Sequence, residues 1–345
     1  MAKEHKHTDR QSTRRSVLAA AGVGAATAVA GCLGDEGGDV ESGTIRMRTS
    51  QASTTAYSAN EGIAQVINDN SDDLTVEART SEGTEANLGA LNSQDAEMVY
   101  IQNWSAQDVQ EGAGDFDQLE FEMAQVFHFY DLPWFFLATG LDSLSEIESG
   151  TTVSPTPRGS GTAPALEHAL DYATDDYNRT SVGFGDQSGS LNEGSLDVGV
   201  GTYMNFSIVP GWVQEMLNST DLNILDVDDS TLEEWESDDR LLIQSFSGDE
   251  IDGTQNAPDQ VHCPTFAYNF VSRADLDYDT VYDFLETMHE NRSVLEDYSA
   301  VLARLDDEEF WVENMYDGVP FHAAAADFYQ EIGVWQDDFE RAAEP

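Results

Sequence analysis

Residues Val261–Arg273 read VHCPTFAYNFVSR, thirteen positions with no formal charge before the final arginine. The run is rich in aromatic and β-branched side chains, which predicts a strand. Before it the chain alternates short strands with helical segments. After it helices dominate, at Tyr278–Glu290, Ser293–Arg304 and His322–Ile332. A single β-rich stretch between an α/β series and a helical tail predicts a crossing that carries the chain back to where it began.

Working outward, the first α/β unit reads clearly. Ile45–Ser50 alternates apolar and polar positions like a strand, and Tyr57–Asn68 carries Ile63, Val66 and Ile67 at helical spacing. Leu74–Thr80 is a second strand, a helix runs through Leu88 and Leu91, and Met98–Gln102 is a third strand. A second unit follows, with strands at Phe121–His128, Trp134–Thr139, Thr151–Ser154, Ser181–Phe184, Leu196–Val200 and Leu222–Val227. Its helices pass through Leu144–Ile147, Leu166 and Leu170, and Val213–Leu217. Alternation of this kind predicts parallel α/β layers. Two such lobes, 45–136 plus 266–345 and 137–265, joined by a hinge, predict a ligand cleft where strand ends and helix N-termini meet. The aromatic run from Phe127 to Phe136 is expected to be a buried crossing strand.

Charge gives a separate kind of information. The chain holds 66 acidic and 15 basic residues for a net charge of −51, and beyond residue 31 it has ten arginines and no lysine. Such a surface repels itself at low ionic strength. In multi-molar salt the Debye length shrinks to about 3 Å and the repulsion is screened. Halophilic adaptation follows, and nucleic acid is excluded as a partner for want of a basic footprint.

Residues 1–31 read as an export leader. Ser12-Thr13-Arg14-Arg15 precedes an apolar stretch from Val17 to Ala30, fourteen residues, short for a membrane span of about 20. Paired arginines before a weakly apolar stretch suggest twin-arginine export. Val29-Ala30-Gly31-Cys32 is similar to a lipobox, with Cys32 as the lipidated mature N-terminus, and residues 32–44 read as a flexible acidic tether. Cys263 is then left without a disulfide partner and is expected to be a small buried residue.

The blocks along the mature chain resemble the TAXI family, the solute receptors of one branch of TRAP transporters. Those blocks are Thr49–Tyr57, Ala78–Leu88 with Leu91–Gln102, Ser154-Pro155-Thr156-Pro157-Arg158-Gly159-Ser160-Gly161-Thr162, Leu191–Val200 and Gly318–Gly333. The resemblance implies a type II periplasmic-binding-protein-like fold of two α/β lobes. It also implies a small anionic solute, such as glutamate or a dicarboxylate, and a TRAP membrane permease as partner. Its cleft is lined by the first loop, the end of the third strand and the Gly-Ser-Gly-Thr turn. That points to Thr54, Thr55, Tyr57, Gln102, Arg158, Gly159, Ser160, Gly161, Thr162 and Tyr203 as ligand contacts.

The third block carries its own physical argument. Glycines allow close backbone approach, Ser160 and Thr162 supply hydroxyls, and a helix begins there, so free N–H groups and the helix dipole favour an anion. Arg158 is a scarce cation that can pair with an acid bidentately. His322, at a helix start, reads as structural. Trp104 and Trp134 read as core.

No metal-ligand spacing, P-loop or nucleophile elbow occurs. No catalytic residue, metal or cofactor is expected. The alternatives are a receptor for an ABC importer or a signalling protein on the same fold, and an exported enzyme.

Overall fold

The computed structural model describes residues 43–344, apart from 53, 114–115, 117–118, 159 and 175. The leader, Cys32, the tether up to residue 42 and Gly159 therefore lie outside the described residues.

The first half opens with β1 (Thr44–Arg48), α1 (Thr55–Asn70), β2 (Thr75–Arg79), α2 (Thr84–Asn92), β3 (Met98–Gln102) and α3 (Asn103–Glu111). β1 lies between β2 and β3 and is parallel to both. Ile45 and Met47 point into the core while their neighbours are half-buried, the period of two that the sequence carries. β3 is buried at all five positions, as an interior strand covered on both faces must be. α1 starts where the Thr54 hydroxyl accepts the Tyr57 N–H, and it buries Ile63, Val66 and Ile67.

Two long strands follow, β4 (Met123–Ala138) and β10 (Gln260–Arg273). β4 runs antiparallel to β10 from Met123 to Pro133, then pairs with β7 (Val198–Thr202) from Trp134 onward. β10 pairs first with β9 (Leu242–Ser247), then with β3 and β4. Both strands change partners where Pro133 faces Thr265. They are the two crossings between the lobes. The second lobe adds β5 (Thr152–Val153), α4 (Ala163–Ala173), β6 (Asn178–Arg179), α5 (Gln187–Asn192), α6 (Gly211–Ser219), β8 (Asn223–Ile224) and α7 (Asp229–Ser237). The main sheet order is β2-β1-β3-β10-β4-β7-β5-β6. After β10, α8 (Tyr278–Glu290) packs on α1 and on α9 (Ala323–Ile332).

Several elements differ from expectation. The strands read at Phe121–His128 and Trp134–Thr139 are one strand, buried at fifteen of its sixteen positions. Pro133 does not break it, because the handover between partners needs no N–H there; its carbonyl accepts from the Thr202 hydroxyl at 2.6 Å. Ser181–Phe184 is not a strand: β6 lies earlier, and a single 3-10 turn covers Phe184–Asp186. Ser293–Arg304 is split into 3-10 segments, Arg292–Asp297 and Ala300–Asp306. α3, α7 and β9 were not expected, since each is short and largely polar on its open side.

Gly201 shows why β7 reads Val-Gly-Val-Gly-Thr. A Cβ there would lie 2.5 Å from the Phe135 ring on β4. Cys263 is fully buried, and burial pushes its thiol well above the ordinary value.

Candidate functional site

A cavity of about 660 Å³ lies at the crossing, with walls from both lobes. The floor is built from three adjacent strands. Tyr100 on β3, Tyr268 on β10 and Tyr130 on β4 stand side by side, with ring centroids 4.8 Å apart at each step. Tyr130 lies directly opposite Tyr268 in the register. Two irregularities in the β4–β10 ladder set that register, between Tyr268 and Asn269 and between Phe270 and Val271. Each inserts an extra β4 residue, and beyond them the period of two puts Tyr130, Leu132 and Trp134 on the one face that reaches the cavity.

The second lobe contributes an aromatic cluster. Trp134, Phe184 and Trp212 lie within 5.1–6.3 Å of one another by ring centroid. Met204, Ile208 and Val209 extend this apolar wall. The 204–208 turn is held in place from the crossing. Asn205 (φ 49°) and Phe206 (φ 51°) adopt left-handed backbone. The Asn205 side chain accepts from the Asp131 N–H at 2.8 Å and donates to the Val301 carbonyl at 2.9 Å. Asp131 in turn accepts from Asn314 at 2.9 and 3.1 Å.

Three helix N-termini open onto this cavity: those of α1, α4 and α6. In α1, Thr54 takes the Tyr57 N–H on its hydroxyl and the Ser58 N–H on its carbonyl. Thr55 and Ala56 keep amides without an intrahelical acceptor. In α6, Pro210 accepts from Val213 and Gln214 and has no side-chain cap, which leaves Gly211 and Trp212 likewise free. In α4, Ser160 and Thr162 hydroxyls bond each other at 2.8 Å rather than capping the helix. Each terminus presents partial positive charge.

No Asp, Glu, Lys, Arg or His lines the cavity among the described residues. The tyrosines stay neutral. Burial lifts Tyr100 to about 12 against a bond to Ser50, and burial puts Tyr130 and Tyr268 well above the ordinary 10. Tyr130 and Tyr268 are 5% and 8% exposed, and their hydroxyls make no hydrogen bond to a described residue. The arrangement offers an anion neutral donors and dipoles, beside an apolar surface.

Of the expected contacts, Thr54, Thr55, Ser160 and Thr162 line this cavity. Gly161 does not; with Ser160 it borders a neighbouring cleft of about 400 Å³. Gln102 lies outside both: it is 1% exposed and caps α3, accepting the Ser105 N–H at 3.2 Å and donating to the Ser105 hydroxyl at 2.8 Å. Tyr203 is packed into the second lobe's core against Phe246, its hydroxyl 3.4 Å from Glu250. Tyr57 is half-buried on α1 beside Glu61 and lines no described cavity. Arg158 is exposed, pairs with no described carboxylate and lines no described cavity. Trp134 belongs to the lining as well as to the core. The tyrosine row and Trp212 were missed; a period of two ending on Tyr130 and Trp134 was the available signal. His322 caps α9, accepting the Ala324 N–H at 3.2 Å.

Comparison with known proteins adds an independent line. The NMT1-like family model matches residues 47–333. No curated protein matches in sequence. Among solved structures, the periplasmic aliphatic sulphonate binding protein SsuA from Escherichia coli is 14% identical. The match covers 88% of this chain and 92% of that one, with a TM-score of 0.47. A periplasmic substrate-binding protein of an ABC transporter from Coxiella burnetii is 12% identical over 75% of this chain and 96% of its own, TM-score 0.42. The methionine binding protein MetQ is 11% identical over 76% and 96%, TM-score 0.42.

Proposed function

The chain belongs to the NMT1-like family, and from that premise and the cavity we propose that it is an extracytoplasmic solute receptor. It captures a small anionic solute between its lobes and delivers it to a TRAP-type, ion-coupled membrane permease. The observation that carries the reading is the convergence of three helix N-termini on one cavity that no charged side chain lines among the described residues. Neutral donors and dipoles of this kind favour an anion without a permanent counter-charge. In the same reading Cys32 carries a lipid that holds the receptor at the outer face of the membrane, and the lobes 45–136 plus 266–345 and 137–265 close on the solute about the two crossings. Thr54, Thr55, Ser160 and Thr162 are its ligand contacts.

The first test is thermal unfolding of the chain in multi-molar KCl against carboxylates, sulphonates and sugars. A ligand at 100 times its dissociation constant adds about 2.7 kcal/mol of stability. An upward shift with anions alone, reduced in Ser160→Ala, supports the receptor; a shift with neutral sugars alone sinks the anion site. Uptake by vesicles holding the permease separates the partners. Dependence on an ion gradient supports the TRAP reading, and dependence on ATP moves it to an ABC importer.

A further inference from the structure

The lining also says what kind of anion it suits. Resting on the receptor reading above, we infer that the ligand is a monocarboxylate with an apolar body and no free ammonium group. An α-amino acid brings an ammonium into the closed site. Taking such a charge out of water without a paired carboxylate costs several kcal/mol. The chain carries 66 acidic residues, and none lines this cavity among the described residues. The nearest backbone groups make matters worse for a cation, since the amides at Thr55, Ala56, Gly211 and Trp212, which bond no described residue, present positive dipole ends.

The polar groups that do line the cavity are donors suited to oxygen. Tyr130 and Tyr268 are more than nine-tenths buried, neutral and without a described partner. Ser50 and Thr54 bond each other at 2.5 Å, linking the Tyr100 side of the floor to the start of α1. A carboxylate head satisfies these groups. A second carboxylate finds no arginine or lysine among the described residues, and beside the hydroxyls stands an apolar wall of Trp134, Phe184, Trp212, Met204, Ile208 and Val209. That wall gains from an apolar body, at about 25 cal/mol for each Å² removed from water.

Matched pairs of 2-oxo and amino acids test this directly, because each pair shares a carbon skeleton and differs in the ammonium. The full chain in about 3 M KCl would be titrated with 4-methyl-2-oxopentanoate and leucine, phenylpyruvate and phenylalanine, and 2-oxoglutarate and glutamate, read by calorimetry and tryptophan fluorescence. The expected result is that an apolar oxo acid binds at least about tenfold more tightly than its amino acid and than 2-oxoglutarate. In Trp212→Ala that preference over 2-oxoglutarate shrinks. Equal or tighter binding of an amino acid overturns the inference and leaves the receptor standing. Tighter 2-oxoglutarate overturns the apolar body. Silence from all six overturns the inference, while a thermal shift with other anions in the wider panel decides the receptor reading separately.

Discussion

Two of the contacts between the lobes have opposite character. At the cavity, three tyrosines face Trp134, Phe184 and Trp212, and no charged side chain intervenes. Beside α3, contact is made by charge. Arg240 lies over the Trp104 ring at 3.8 Å and pairs with Asp108. His168 meets the same ring edge-on at 5.4 Å and lies 2.5 Å from Asp238. The cleft there is lined by Glu236, Asp238, Asp239 and Asp317 as well. The difference teaches where this chain allows charge. At the α3 contact Asp108 and Asp238 are given partners in Arg240 and His168. Among the described residues no charged side chain lines the cavity.

Four experiments break or sharpen that contrast. The largest effect comes from removing the screening that lets the acidic exterior coexist with a neutral cavity. Moving the chain from about 3 M to about 0.1 M KCl lengthens the Debye length to about 10 Å. Stability is expected to fall by several kcal/mol, about 10 °C or more in Tm. Circular dichroism against temperature checks it, and a salt-independent Tm would remove the halophilic reading.

Next, Thr55→Asp places a carboxylate in the neutral cavity. Like charges brought together cost several kcal/mol, so anion affinity should drop about 100-fold or more. α1 has no acid in its first turn, so its stability should hold or rise by about 0.3–1 kcal/mol. Calorimetry with a denaturation control reads both. Unchanged affinity would place the ligand elsewhere.

A smaller loss is expected from the charged contact. Arg240→Ala should cost about 1–2 kcal/mol in denaturation, because both the ion pair and the ring contact go. Arg240→Lys should recover less than half, since an ammonium lacks the planar group that stacks on Trp104. Equal stability of all three proteins would show the contact to be incidental.

The smallest effect lies away from both regions. Burial pushes His322 below its ordinary value of 6.5, against a bond to the Leu276 carbonyl. The unfolded chain therefore binds the proton more readily than the native one, and stability falls as pH drops through the window just below 6.5. His322→Asn keeps a capping oxygen for α9 and should flatten that slope, as urea midpoints across pH would show.

Much of the fold was legible from local pattern. β3 and α8 have the bounds their side-chain periods indicated, Met98–Gln102 and Tyr278–Glu290. The β10 crossing was readable because twelve successive positions, Val261–Ser272, carry no formal charge and are rich in aromatic and β-branched side chains. The turn at Ser160–Thr162 was readable because its residue types open a helix. Gln102 was read from the resemblance and from its chemistry, and a residue that can bind a ligand can equally cap the next helix. Tyr203 failed for a related reason, since the same ring serves a core as well as a cleft.

By itself the sequence determined the acidic character and the alternation of strand and helix, because these follow from residue types and short spacings. The tertiary structure decided which residues share the candidate cavity. Tyr100, Tyr130 and Tyr268 come from strands far apart in the chain, and only the β4–β10 ladder, with its two shifts in register, sets them in one row. The three helix ends that face them are likewise gathered by the crossing. No local pattern records which far-off groups will share a cavity, since that is settled by pairing and packing across the whole chain.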